Sequence, residues 1–146
     1  MVIVRDGSGL SFYRIFNMKI KEEVKTEIWI SRYYMRKAQR AAEDGYEFSL
    51  NLVSVRNLLL AKRCYYTGIE LTKPELNEAG FVKDGYKRRL TDVTIDRIDN
   101  TKGYVKGNVV ACAKGTNSFK SYFEGSNSIF NMEHLHKMSR KIKSTL

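Results

Sequence analysis

Thr94-Ile95-Asp96-Arg97-Ile98-Asp99-Asn100-Thr101-Lys102-Gly103-Tyr104-Val105-Lys106-Gly107-Asn108 is the stretch on which the reading of this chain turns. Its first part continues a run from Leu90 to Ile98 that holds Val93, Ile95 and the β-branched Thr91 and Thr94. Such residues suit a strand, because branched side chains pack well on a pleated surface. The polar loop Asp99 to Gly103 follows, and the chain becomes apolar again over Asn108-Val109-Val110-Ala111-Cys112, a second short strand. Helix is expected from about 113 to 124. Strand, loop, strand and helix together put Asp96 at a strand end and Asn117 on the following helix. A carboxylate and an amide oxygen are hard donors of the kind Mg²⁺ or Mn²⁺ takes while keeping several waters. An ion held there would stabilise charge on a phosphate undergoing cleavage.

Working outward, residues 19–44 contain no Gly or Pro and read as one long helix. Ile20, Val24 and Ile28 repeat at i+4, and Met35, Ala38 and Ala42 extend an apolar side. Arg32, Arg36 and Arg40 form a second stripe, with Lys37 beside it, and Gly45 marks the end. A shorter helix is expected from Asn51, a good N-cap, to Lys62, burying Leu52, Val55, Leu58 and Leu59. Cys64-Tyr65-Tyr66-Thr67-Gly68 reads as a tight turn. Residues 72–89, with Pro74, Gly80 and Gly85, read as an exposed loop with room for a short hairpin. Residues 1–18 alternate weakly around the turn signal Asp6-Gly7-Ser8-Gly9. The last segment, from about Asn131, reads as an amphipathic helix with Met132, Leu135, Met138 and Ile142 inward and Lys137, Arg140, Lys141 and Lys143 outward. The class is α+β.

The 146 residues suffice for one compact domain and not for two ordinary ones. A hydrophobic fraction of 42% with a single Pro argues for a packed core and against a disordered chain. A formal charge of +10 points to a polyanionic partner, of which nucleic acid is the commonest, since Lys and Arg displace counterions from phosphates. A basic surface kept for solubility, or attraction to acidic lipid, is the alternative. No run approaches the ~20 apolar residues needed to span a bilayer, and the N-terminus has no secretory-signal pattern. Two cysteines, Cys64 and Cys112, are too few for a disulfide scaffold. A reducing cytoplasm fits this usage best.

On these residues the sequence resembles the HNH endonuclease superfamily, in its phage-type form with Asp-Arg-Ile-Asp, Gly-Tyr and Gly-Asn in order. The resemblance covers residues 48–120 and includes the Cys-x-x-Thr-Gly turn. It implies a ββα-metal (HNH/His-Me finger) core with added N- and C-terminal helices: a helical part over 1–63, the HNH-like module over 64–124 and a basic helix over 125–146. It further implies DNA as partner, a divalent metal ion as cofactor, Asp96 and Asn117 as its ligands, and Asn108 as the residue that holds the loop and orients the base. If the chain is phage-encoded, it would act in the host cytoplasm.

Two positions depart from the family pattern. Where the family has its base His, after Asp96, this chain has Arg97, which stays protonated and cannot serve as an ordinary base. Loss of that base weakens hydrolysis by about 10²–10⁴-fold without abolishing it. Asp99 is the substitute the resemblance suggests, since related non-specific nucleases carry their base His three residues after the Asp; Arg97 would then stabilise phosphorane charge. The second Cys-x-x-Cys knuckle of many relatives is also missing, with Cys112 out of place and Thr116 at its final position. Two thiols cannot close a four-ligand site, so no structural zinc is expected.

Each feature has a plainer reading. Asp96 and Asp99 can cap turns, Asn117 can sit on a helix surface, and the Arg stripe can be a solvated face. Tyr33, Tyr34, Tyr65 and Tyr66 read as packing residues before stacking platforms. Taken together with their spacing, the residues favour a site, with Arg97, Lys102, Lys106, Lys114 and Lys120 around it as DNA contacts and Arg32, Arg36 and Arg40 as further phosphate contacts. The rival functions are an HNH-fold module that binds DNA without cutting, and a basic protein that binds a host protein. The sequence leaves the oligomeric state open, a homodimer included.

Overall fold

A computed structural model describes residues 20–125 and 127–143. The Asp6-Gly7-Ser8-Gly9 turn lies outside them. Among these residues six elements follow in order: α1 (Glu22–Glu43), α2 (Leu52–Leu59), β1 (Val93–Arg97), β2 (Val109–Ala113), α3 (Lys114–Glu124) and α4 (Met132–Lys141). The two strands pair antiparallel, with Thr94 opposite Cys112 and Asp96 opposite Val110. The molecule is therefore α+β, a two-stranded sheet among helices.

Strand alternation sorts the hairpin into two faces. Val93, Ile95 and Ala111 point into the main core, where they meet Trp29 and Ile30 of α1, Leu50, and Val55 and Leu59 of α2. Thr94, Asp96, Val110 and Cys112 point to the other face, which α3 crosses, as the ion pair from Lys120 to Asp96 shows. The hairpin is thus held between helices on both sides. α2 begins as its sequence indicates, with the Asn51 side chain accepting from the Ser54 N–H at 2.8 Å.

The buried face of α1 differs from the expected one. Trp29, Ile30 and Ala41 are buried, with Tyr33 and Tyr34 packed against the core, whereas Val24 and Met35 are exposed. The aromatic rings take the inward positions because they remove the most area from water, and the aliphatic stripe is turned aside. Tyr33 also reaches the outer edge of β1, where its hydroxyl accepts from the Ile95 N–H at 3.1 Å and lies 3.2 Å from Thr94 Oγ1. In α4 the expected inward residues Met132 and Ile142 are 69% and 63% exposed. Of the same stripe, Leu135 is half-buried, so among the described residues the stripe is covered only in part. Asn131 caps that helix, accepting from the His134 N–H at 2.9 Å.

The stretch before β1 is more ordered than its composition suggested. Leu76 bridges Val82 across a turn in which Asn77 Oδ1 accepts from the N–H groups of Ala79 and Phe81. This is the short hairpin for which the sequence left room. The stretch is organised by Asp92, only 1% exposed, which accepts from Thr72 Oγ1 at 2.7 Å, Tyr86 Oη at 2.8 Å and the Arg89 N–H at 2.9 Å. Burial works against its charge, yet these hydrogen bonds and the Arg89 guanidinium outweigh it and lower its pKa. A depressed carboxylate pKa adds stability that is fully present above the unfolded value near 3.9 and is lost as pH falls through the lower folded value. Asp92→Asn is expected to cost about 2–4 kcal/mol at neutral pH and to flatten the acid limb of stability below about pH 4. Denaturant unfolding from pH 2 to 7 checks both; an unchanged acid limb would remove Asp92 from this role.

Candidate functional site

The loop that joins the strands is built around Asn108. Its buried carboxamide accepts from the Asp99 N–H at 2.9 Å and donates to the carbonyls of Asp99 at 3.0 Å and Gly103 at 2.9 Å. An amide suits the position because it offers an acceptor and two donors at once. Gly103 lies against the 47–49 segment so closely that an added Cβ would meet Glu47 O at 2.3 Å. Tyr104 N–H donates to that same carbonyl at 2.8 Å, so the loop is fastened to the helical part of the chain.

Asp96 occupies the end of β1 on the α3 face, 8% exposed. Its Oδ2 accepts from the Tyr66 hydroxyl at 2.9 Å and lies 3.1 Å from the Lys120 ammonium. Its Oδ1 takes no hydrogen bond from a described residue. Lys120 is pinned further by the Glu124 carboxylate and by the Arg97 carbonyl at 2.9 Å. Burial opposes its charge, but its bonds to Glu124 and Asp96 prevail and raise its pKa. Burial, the hydrogen bond to Asp96 and that carboxylate's charge push the Tyr66 phenol up as well. Neither group gives up its proton near neutral pH. Both act as fixed donors.

Tyr66 is the site residue that the sequence reading took for packing. Its place follows from the turn it sits in: Gly68, at φ +70°, returns its N–H to the Cys64 carbonyl at 2.9 Å, and Tyr65 N–H pairs with Ala111 O at 2.9 Å. That strand-like link lays Tyr66 beside β2 and over Asp96. The buried Cys64 and Cys112 meet beneath it with sulfurs 3.9 Å apart. Burial pushes Cys112 up to about 12, while hydrogen bonds from Thr67 and nearby backbone outweigh burial at Cys64 and lower it to about 6. The Thr-Gly pair of the turn was the available signal for Tyr66.

The remaining expected residues fall in distinct places. Arg97 leaves the hairpin on the face opposite Asp96. Its guanidinium lies 3.8 Å from the centre of the Tyr46 ring and donates to the carbonyls of Asn100 and Lys102 at 3.1 and 2.9 Å. It braces the loop. Asp99 caps the same loop, accepting from the Thr101 N–H at 3.0 Å and the Thr101 hydroxyl at 2.6 Å. Those bonds, with the Lys102 ammonium 3.4 Å away, hold its pKa below the usual carboxylate range. Lys102 and Lys106 are exposed and Lys114 is half-buried. Asn117, one turn before Lys120 on α3, faces a cavity it shares with Thr94, Arg36 and Arg40. The α3 side chain that touches Asp96 is Lys120.

Asp96 Oδ1 and the Asn117 amide are oxygen donors of the hard type that Mg²⁺ or Mn²⁺ accepts with water completing its shell. No group of three or more His, Cys, Asp or Glu converges for a metal ion among the described residues. Asp96 is already in contact with the Lys120 ammonium, and Asn117 lines a cavity that Asp96 does not border, so a cation here would have to keep most of its own water.

No family model matches the chain. A 29.0 kDa uncharacterized protein of Enterobacteria phage T4, from the dda-modA intergenic region, is 34% identical over 84 residues, 58% of this chain. The match spans 27% of that relative's length. Among solved structures, the rare-cutting HNH restriction endonuclease PacI is similar with a TM-score of 0.46 and 15% identity, over 78% of this chain and 82% of that one. No helix among the described residues is long and apolar enough to cross a membrane.

Arg97→His tests the division of labour between the two hairpin faces. Loss of the ring contact and the two carbonyl bonds is expected to lower stability by about 2 kcal/mol, measured by urea denaturation, with no gain in phosphodiester cleavage. A tenfold or larger rise in nicking rate would show that the side chain at 97 reaches the reacting phosphate.

Proposed function

We propose that this chain is a metal-dependent DNA endonuclease of HNH type, hydrolysing phosphodiester bonds on a ββα-metal module with Asp96 and Asn117 as metal ligands. The observation that carries this reading is the Asp96 carboxylate at the end of β1, one oxygen fixed by Tyr66 and Lys120 and the other taking no hydrogen bond from a described residue. A carboxylate held in one orientation with a free oxygen is the element that a divalent cation needs from the protein. When bound, Mg²⁺ or Mn²⁺ supplies electrostatic stabilisation of the charge that develops on the phosphate.

The chain's own residues do the positioning. Tyr66 and Lys120 keep Asp96 in place, and Asn108 and Arg97 keep the loop from Asp99 to Lys102 rigid. Lys102, Lys106 and Lys114 present charge to the phosphates of DNA. In this assignment Lys120 and Arg97 are positioning residues, and Asp99, with its lowered pKa, is a poor acceptor for a proton. Similarity to a phage T4 protein supports a phage setting and the host cytoplasm as the place of action.

A second reading, a module that binds DNA without cutting it, has one observation in its favour. The groups that touch Asp96 are a phenol and an ammonium, both with raised pKa. Among the described residues no side chain touching it is poised to take a proton from water at neutral pH. Plasmid nicking in Mg²⁺ or Mn²⁺ separates the readings. Wild type is expected to produce open circles, and Asp96→Ala and Asn117→Ala are each expected to slow the reaction by at least about 100-fold. Binding without nicking in either metal would establish the second reading. Equal rates for all three proteins would overturn the site.

A further inference from the structure

The Arg stripe of α1 does not lie on an open helix face. It forms one wall of a groove whose other wall is the segment from Pro74 to Val93. A cavity of about 580 Å³ runs there beside Tyr33, Thr94 and Asn117, and a second of about 290 Å³ shares Trp29, Arg36 and Val82 with it. The two continue each other along α1. Arg36, Lys37 and Arg40 line the larger cavity from the helix and Arg88 lines it from the opposite side, with no carboxylate among the described residues of its lining. A single acid, Asp84, borders the smaller one. Arg32, at that end, stacks on Phe81 at 4.1 Å. Among the described residues none of these five cations forms an ion pair, although seven other Lys and Arg residues do.

Concentrating unpaired positive charge in a concave, partly apolar groove raises the local potential and costs self-repulsion unless an anion is bound. One phosphate does not need cations spread over this length. Arg32 to Arg40 spans about 12 Å of helix axis, or three to four nucleotide steps at about 3.4 Å each. The groove's Thr94 end is two residues from Asp96 on the same hairpin face.

We propose that this groove is a phosphodiester channel that carries the backbone of the bound DNA strand away from the Asp96 end, with Arg36, Arg40 and Arg88 as phosphate contacts from its two walls. The inference rests on the nucleic-acid reading of the hairpin site. It adds a substrate path and Arg88, which no sequence pattern indicated.

Fluorescence anisotropy of a duplex of about 20 base pairs, titrated with the full chain across KCl concentrations, gives the slope of log affinity against log salt. Each phosphate contact contributes about 0.9 to that slope. Arg36→Gln/Arg40→Gln is expected to reduce the slope by about 1.8 and Arg88→Gln by about 0.9. Lys137→Gln/Lys141→Gln, on α4, is expected to leave it unchanged. Thermal melts check that every variant is folded. Wild-type slope and affinity in the Arg variants would overturn the channel while leaving the hairpin site intact. A loss confined to the α1 pair, with Arg88→Gln unchanged, would mean an open helix face and also overturn it. No binding by wild type at low salt would sink the hairpin reading and the channel together.

Discussion

The buried carboxamide of Asn108 is the constraint on which the hairpin depends. By bonding both ends of the loop at once, to Asp99 and to Gly103, it closes the turn at one length. A loop longer or shorter by one residue would reverse every side chain of one strand, because the strand period is two. Asp96 would then face the core in place of Ile95. The close seat of Gly103 on Glu47 and the Arg97 guanidinium beneath Tyr46 reinforce the same closure from the other side.

From that register the rest of the site follows. Ile95 faces the aromatic wall of α1, while Asp96 faces α3, where Lys120 meets it. The turn at Cys64 is drawn against β2 by the Tyr65–Ala111 backbone bond, which delivers Tyr66 to the same carboxylate. Three segments far apart in sequence thus converge on one oxygen atom. The cost of burying the charge is offset by two donors, and α3 supplies the Lys120 ammonium among them.

The elements near the hairpin were legible because local chemistry dictates them. β-branched runs, a polar loop and an Asn cap act within a few residues of themselves, and the strands and the start of α2 fall where those signals put them, although α2 ends at Leu59, short of Lys62, with Leu52 exposed. What depended on partners distant in sequence was not legible. The inward face of α1 was assigned to an aliphatic stripe, and the aromatic residues took it because β1 and α2 offered them a deeper site. Met132 and Ile142 form an apolar stripe that periodicity detects, but periodicity cannot tell whether anything covers it. Arg97 looked like a group aimed at phosphate because it follows Asp96; strand alternation sends it the other way. Asp92 carries no motif and Tyr66 only the turn it sits in, and only the assembled fold gives them their hydrogen-bond partners.

The nuclease proposal reduces to a cation resting on Asp96. Paramagnetic broadening of backbone amide NMR signals by substoichiometric Mn²⁺ locates that cation without requiring turnover. The account predicts broadening centred on residues 95–98 and on Asn117 to Lys120, removed by Asp96→Ala. Broadening centred elsewhere, or unchanged in that variant, would contradict it.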